Sequence, residues 1–176
     1  LKRSNNFLRL KQTSGVDIRQ KINDMIEVQS KKTTVKDTLN NSNFDNYVYP
    51  SRYNNERDMI RYFTFEFIDE DEVTEDVDWV LKSASIDSDG VIYGIIPHSE
   101  ESISRLKDII LKTSKESESI IFILPRHFSE ISDIVKEYNA VSVLRDGAND
   151  DKVLFDEYEV IYEDLREVIG TFMRGY

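Results

Sequence analysis

Two short segments of this chain hold the residue types from which a reactive or ligand-binding edge can be built. In "GVIYGIIPHSEES" (residues 90–102) an apolar run stops at Pro97 and passes into His98, Ser99 and two glutamates. In "SIIFILPRHFSE" (residues 119–130) a second apolar run stops at Pro125 and passes into Arg126, His127 and Ser129. An imidazole exchanges protons near neutral pH, and a guanidinium grips a carboxylate or phosphate. A serine leading into a helix sits beside backbone N–H groups that attract an anion. His98, Ser99, Arg126, His127 and Ser129 are therefore the candidate ligand-binding residues, for a phosphate or a carboxylate. The same residues also have a purely architectural reading. Proline ends a strand because it cannot donate to the ladder, and Ser99 and Ser129 suit helix N-caps. Neither serine is followed three residues on by Glu or Gln, so the usual reciprocal capping partner is missing. The repeated pattern reads first as a handover from strand to helix.

Other chemical constellations fall short of a site. The stretch "SIDSDGVIYGII" (85–96) half resembles a calcium loop, with Asp87, Asp89 and Gly90 in place. Its twelfth position is Ile96, where a calcium loop needs a bidentate Glu, so the segment reads as a turn. "RYFTFEFI" (61–68) half resembles a strand that stacks aromatics on RNA bases. Tyr62 replaces the glycine of that pattern and an acidic run adjoins it, so Phe63, Phe65 and Phe67 read as core. The acidic run 69–78, "DEDEVTEDVD", could in principle bind a metal through paired carboxylates, but without a histidine or other clear ligand set it reads as a solvated or partner-facing charge run. The chain has two histidines and no cysteine, which excludes disulfides and thiolate metal sites. No Gly-rich phosphate loop, nucleophile elbow or zinc-protease helix motif occurs. No catalytic residue, no metal ligand set and no cofactor is assigned.

The elements that position the two segments follow from periodicity. Residues 91–96 are a near-continuous apolar run, the pattern of a strand buried on both faces. Ile103, Leu106 and Ile110 then mark a helix over 99–113, residues 120–124 a second strand, and Ile131, Ile134, Val135 and Tyr138 a helix over 129–139. Strand, helix, strand at this spacing is a crossover between parallel strands, which brings both Pro-His corners to one sheet edge. Phe63, Phe65 and Phe67 alternate as in a further strand. Ile18, Ile22, Met25 and Ile26 define a short amphipathic helix over 17–29, and residues 30–46 read as a linker. Asp146-Gly147 with Asn149-Asp150 reads as a turn. In the last helix Leu154, Tyr158, Ile161, Leu165, Val168 and Phe172 step by four and three, a narrow 3.5-residue seam. The fold class is α/β: a small, mostly parallel sheet with βαβ crossovers, helices packed on it and a basic helical N-terminal appendage. Residues 1–44 form the appendage and linker, with 1–15 weakly ordered, and 45–176 an acidic α/β domain.

The formal net charge is −11, unevenly spread. Residues 1–36 hold nine Lys/Arg against three Asp/Glu, and the remainder holds fourteen against thirty-one. The basic segment is expected to dock on the acidic body, or to make weak, sequence-indifferent contact with nucleic acid through its positive charge. No apolar run approaches a membrane span, and a cytoplasmic setting is expected. The chain starts at Leu1 and ends at Tyr176 after a regular helix, which reads as a piece of a longer polypeptide.

One family resemblance spans residues 45–176. The order "YVYPSRYNNERDMIRYFTFEFI", "DGVIYGIIPHSEE", "IIFILPRHFSEISDIVKEYNAVSVL" and a long acidic heptad helix resembles the region after the nucleotide-binding core in the large P-loop ATPases of bacterial anti-phage (BREX-type) systems. The resemblance implies a non-catalytic interaction or coupling domain, with ATP handled elsewhere in the parent and with partners in the parent chain or another protein. It transfers no catalytic residue. Two other functions stay open: a small α/β enzyme or ligand-binding domain using the carboxyl edge of strands 91–96 and 120–124, and nucleic-acid contact through residues 1–36.

Overall fold

A computed structural model describes residues 17–42, 46–113 and 118–176. The expectation of weak order in residues 1–15 lies outside them, as do the first sixteen residues of the basic segment. The chain groups into two compact units, Leu1–Val35 with Ile131–Thr171, and Lys36–Glu130 with Phe172–Tyr176. Among the described residues no helix is long and apolar enough to cross a membrane.

The second unit is built on a four-stranded sheet, and the α/β expectation holds. β1 (Tyr47–Val48), β2 (Phe63–Asp69), β3 (Gly90–Ile96) and β4 (Ile120–Ile123) lie in that order. β2, β3 and β4 are parallel and β1 is antiparallel to β2. All seven residues of β3 are buried, as its unbroken apolar run requires of a central strand. One face carries Ile68, Val91, Tyr93, Ile95 and Ile120, packed with Val73, Trp79 and Leu106. Trp79 meets the Tyr93 and Phe122 rings at 5.4 and 4.8 Å. The other face carries Phe65 and Phe67, whose rings meet edge-on at 5.0 Å. Phe65 lies so close over β3 that a Cβ on Gly94 would come within 2.7 Å of its ring. Tyr176 returns to this unit, packing on Phe67 at 5.1 Å and donating to the Ile95 carbonyl at 2.8 Å.

Residues 30–46, expected to be a linker, contain helix α2 (Val35–Asn41), after α1 over residues 17–29. Its polar composition hides a specific task. β1 is two residues long, and Phe65 N–H bonds the Asn46 carbonyl just beyond it. Past that point no strand among the described residues lies beside this edge of β2. The Asn40 carboxamide takes its place, donating to the Phe67 carbonyl at 2.9 Å and accepting from the Phe67 N–H at 2.7 Å. Leu39, beside it, is fully buried.

The first unit is a helical packing of α1, α6 (Ser132–Gly147) and α7 (Lys152–Met173), the last residues of α7 grouping with the sheet. Ile18 and Ile22 of α1 join Val141, Ala148, Tyr158 and Leu165 in one core. The α1 stripe is thus covered, as an amphipathic helix requires. Two expectations are corrected here. The helix after β4 starts at Ser132, not 129, and runs through Asp146 and Gly147; Asn149 then bonds the Asp146 carbonyl at 2.7 Å to close its end. The seam of α7 is also not a strict 3.5 repeat. Val168 is 48% exposed, whereas Ile169 and Met173 are buried. A straight α-helix has 3.6 residues per turn, so its buried face drifts around the helix relative to a heptad.

Candidate functional site

The carboxyl edge of the parallel strands holds a group of ionisable side chains, among them Asp69, Asp71 and His98. β2 ends at Asp69 and turns at once into a 3-10 turn, Glu70–Glu72. Asp69 starts that turn, its Oδ1 accepting from the Asp71 N–H at 3.0 Å while Glu72 accepts from the Asp69 N–H at 3.1 Å. The parallel register sets Asp69 opposite Ile96, two residues before His98. The His98 ring therefore meets the end of β2, with Nε2 3.0 Å from Asp69 Oδ2 and Nδ1 3.8 Å from Glu70 Oε1. The hydrogen bond to Asp69 and the charges of Asp69, Glu70 and Asp71 raise the His98 pKa above its usual value, against an opposing effect of burial.

Glu70 is a buried carboxylate with several partners. It accepts from the His98 backbone N–H at 2.5 Å and from Arg105 at 2.8 Å. Burial pushes its pKa up, but hydrogen bonding with Ser102 and the His98 N–H, together with the charges of His98 and Arg105, outweighs burial and holds it below the usual carboxylate range. Glu72 lies between Lys36 and Lys82, each at 2.8 Å. Burial opposes its ionisation, yet the two lysines and the Asp69 N–H pull its pKa down to about 2. The run 69–78 is therefore not a simple solvated face. Asp69 caps a turn, Glu70 and Glu72 hold cations, Glu75 pairs with Lys112 at 2.7 Å, and Asp78 caps α4 (Trp79–Ser83) through the Leu81 N–H at 2.9 Å.

The five residues singled out in the sequence divide between two corners. Ser99 caps α5 (Glu100–Thr113), its hydroxyl accepting from the Ser102 N–H at 3.1 Å. Ser102 supplies the reciprocal partner expected to be missing, accepting from the Ser99 N–H at 3.3 Å. At the other corner Glu100 accepts from the Phe128 N–H at 2.6 Å and lies 3.5 Å from His127 Nδ1. This carboxylate ties the loop after β4 to the start of α5. Arg126, His127 and Ser129 are exposed, and Ser129 does not cap α6, whose N-cap residue is Ile131 with no side-chain cap bond. Sequence reasoning paired His98 with the strand that follows it and missed Asp69, Glu70, Asp71 and Arg105. The signal was present in the Phe63–Phe65–Phe67 strand, whose last residue is the acid that His98 meets.

A second feature lies at the antiparallel edge of the same unit. Around β1 and α3 (Ser51–Arg57), Tyr47, Val48, Tyr49, Tyr53, Met59 and Ile60 are exposed, Ile60 at 85%. Tyr62 meets the Tyr47 and Tyr49 rings at 5.8 and 6.0 Å. Arg57 sits 5.9 Å above the Tyr53 ring, and Arg52 pairs with Glu56 at 2.9 Å. The segment is held in shape by Asn54, which exchanges two hydrogen bonds with the Arg61 backbone at 2.8 and 3.0 Å.

No protein-family model, curated protein or solved structure matches the chain.

Proposed function

We propose that this chain is a non-catalytic interaction or coupling domain of a larger phage-defence P-loop ATPase. The observation that carries the interaction reading is the exposed tyrosine, methionine and isoleucine surface of residues 47–60, interleaved with Arg52 and Arg57. Clustered exposed apolar side chains mark contact surfaces, and tyrosine and arginine dominate binding hot spots. The surrounding hydrogen bonds hold this surface in a defined shape, which lowers the entropic cost of docking. The ATPase context rests on the resemblance of segment order over residues 45–176.

The test begins with the complete reading frame that encodes this chain. It should contain a P-loop. Chain 1–176 should then bind the remainder of that polypeptide, and Ile60→Asp should weaken the association at least tenfold. A reading frame without a P-loop removes the ATPase context. Association indifferent to both Ile60→Asp and Tyr49→Ala removes the interaction surface. Tight, salt-sensitive binding of a labelled DNA, lost on deleting residues 1–36, would favour nucleic-acid contact instead.

A further inference from the structure

We propose that Asp69, Asp71 and His98 form a binding site for one divalent first-row transition-metal ion of the zinc or manganese kind, at the carboxyl ends of β2 and β3. This is independent of the coupling role. One ligand atom from each of the three residues lies within 4.8 Å of the other two. Around a zinc ion with bonds of about 2.0–2.2 Å, ligand atoms sit roughly 3.3–3.5 Å apart, so the group must draw in by about an ångström. Asp71 is exposed, and rotation of its carboxylate would have to supply that closure.

The other two ligands are already aimed. Asp69 Oδ1 accepts from the Asp71 N–H, which turns Oδ2 onto His98 Nε2 at 3.0 Å. His98 is fixed from behind by Glu70, which accepts from its backbone N–H and places Oε1 3.8 Å from Nδ1. At 3.8 Å this carboxylate is beyond hydrogen-bond reach of Nδ1, and it would have to close on the ring to orient the imidazole as the partner of a metal-bound histidine does. Glu70 suits that positioning role because its side chain is only 8% exposed and its charge is matched by Arg105 at 2.8 Å. The donor set chooses the metal class. Carboxylates alone suit magnesium or calcium, whereas an imidazole beside two carboxylates suits zinc or manganese. Three protein ligands leave the remaining positions to water or to an oxygen of a small ligand.

The experiment titrates chain 1–176 with zinc and manganese by calorimetry and with cobalt(II) by visible absorption, which reports the coordination geometry. One saturable site is expected. Asp71→Asn and His98→Ala should each weaken it at least tenfold, and His127→Ala should leave it unchanged. Asp71→Asn changes an exposed side chain, and its metal-free melt should match the parent; it decides the outcome if His98→Ala does not fold. Absence of saturable binding overturns the proposal. So does binding undiminished by Asp71→Asn, or binding lost in His127→Ala.

Discussion

The side chain of Asn40 stands in for a strand beside Phe67. It meets both backbone groups of that residue, at 2.9 and 2.7 Å, across 27 positions of sequence. An uncovered sheet edge is a template for unwanted pairing, and partly buried backbone groups without partners are costly. A carboxamide suits the task because it carries a donor and an acceptor side by side.

Asn40→Leu should destabilise the chain by roughly 1–3 kcal/mol, since both Phe67 groups lose their partner. Asn40→Asp keeps the acceptor and loses the donor, so its cost should exceed that of a surface change elsewhere on α2. Urea unfolding of the variants measures this. Parent-like midpoints for both would mean that water satisfies Phe67 equally well.

Glu72 makes stability depend on acid. Its pKa is about 2 in the folded chain, below the 4.5 of a free glutamate. A depressed carboxylate pKa contributes stability that is complete above the unfolded value and is lost as pH falls toward the folded one. The Glu72 contribution should therefore fade between about pH 4.5 and pH 2. Glu72→Gln should lower stability near pH 7 by on the order of 2 kcal/mol, with solvent screening allowed for. The gap to the parent should narrow on acidification through that window. A pH-independent gap in a melting series would show that the carboxylate charge is not what matters.

The buried face of α7 can be mapped by charge insertion. Leu165 is 9% exposed and Val168 48%. Leu165→Asp should cost several kcal/mol, because a carboxylate without partners in an apolar core is expensive. Val168→Asp should stay within about 0.5 kcal/mol, as surface changes usually do. Equal losses in thermal melts would restore a strict heptad seam through Val168.

Much of the architecture is local and was therefore legible. The alternation of Phe63, Phe65 and Phe67 reports a strand because successive side chains point to opposite faces. The apolar run of residues 91–96 reports a strand covered on both sides. Ser99 reports a helix start, because its hydroxyl answers an orphan N–H of the same helix. Each of these depends on residues only a few positions apart.

Tertiary structure alone decided which distant residues meet. Residue types show that His98 and Asp69 can interact, but only the parallel register of β2 and β3 places one beside the other. The task of Asn40 follows from β1 ending after two residues, so that among the described residues no strand reaches Phe67. The charge run 69–78 looks uniform in sequence, yet the fold buries Glu70, sets Glu72 between two lysines and leaves Asp71 exposed. The exchange of Val168 for Ile169 turns on the difference between 3.5 and 3.6 residues per turn. Periodicity constrains which face of an element is apolar. What that face and its end residues touch depends on the neighbour, and long-range pairing sets the neighbour.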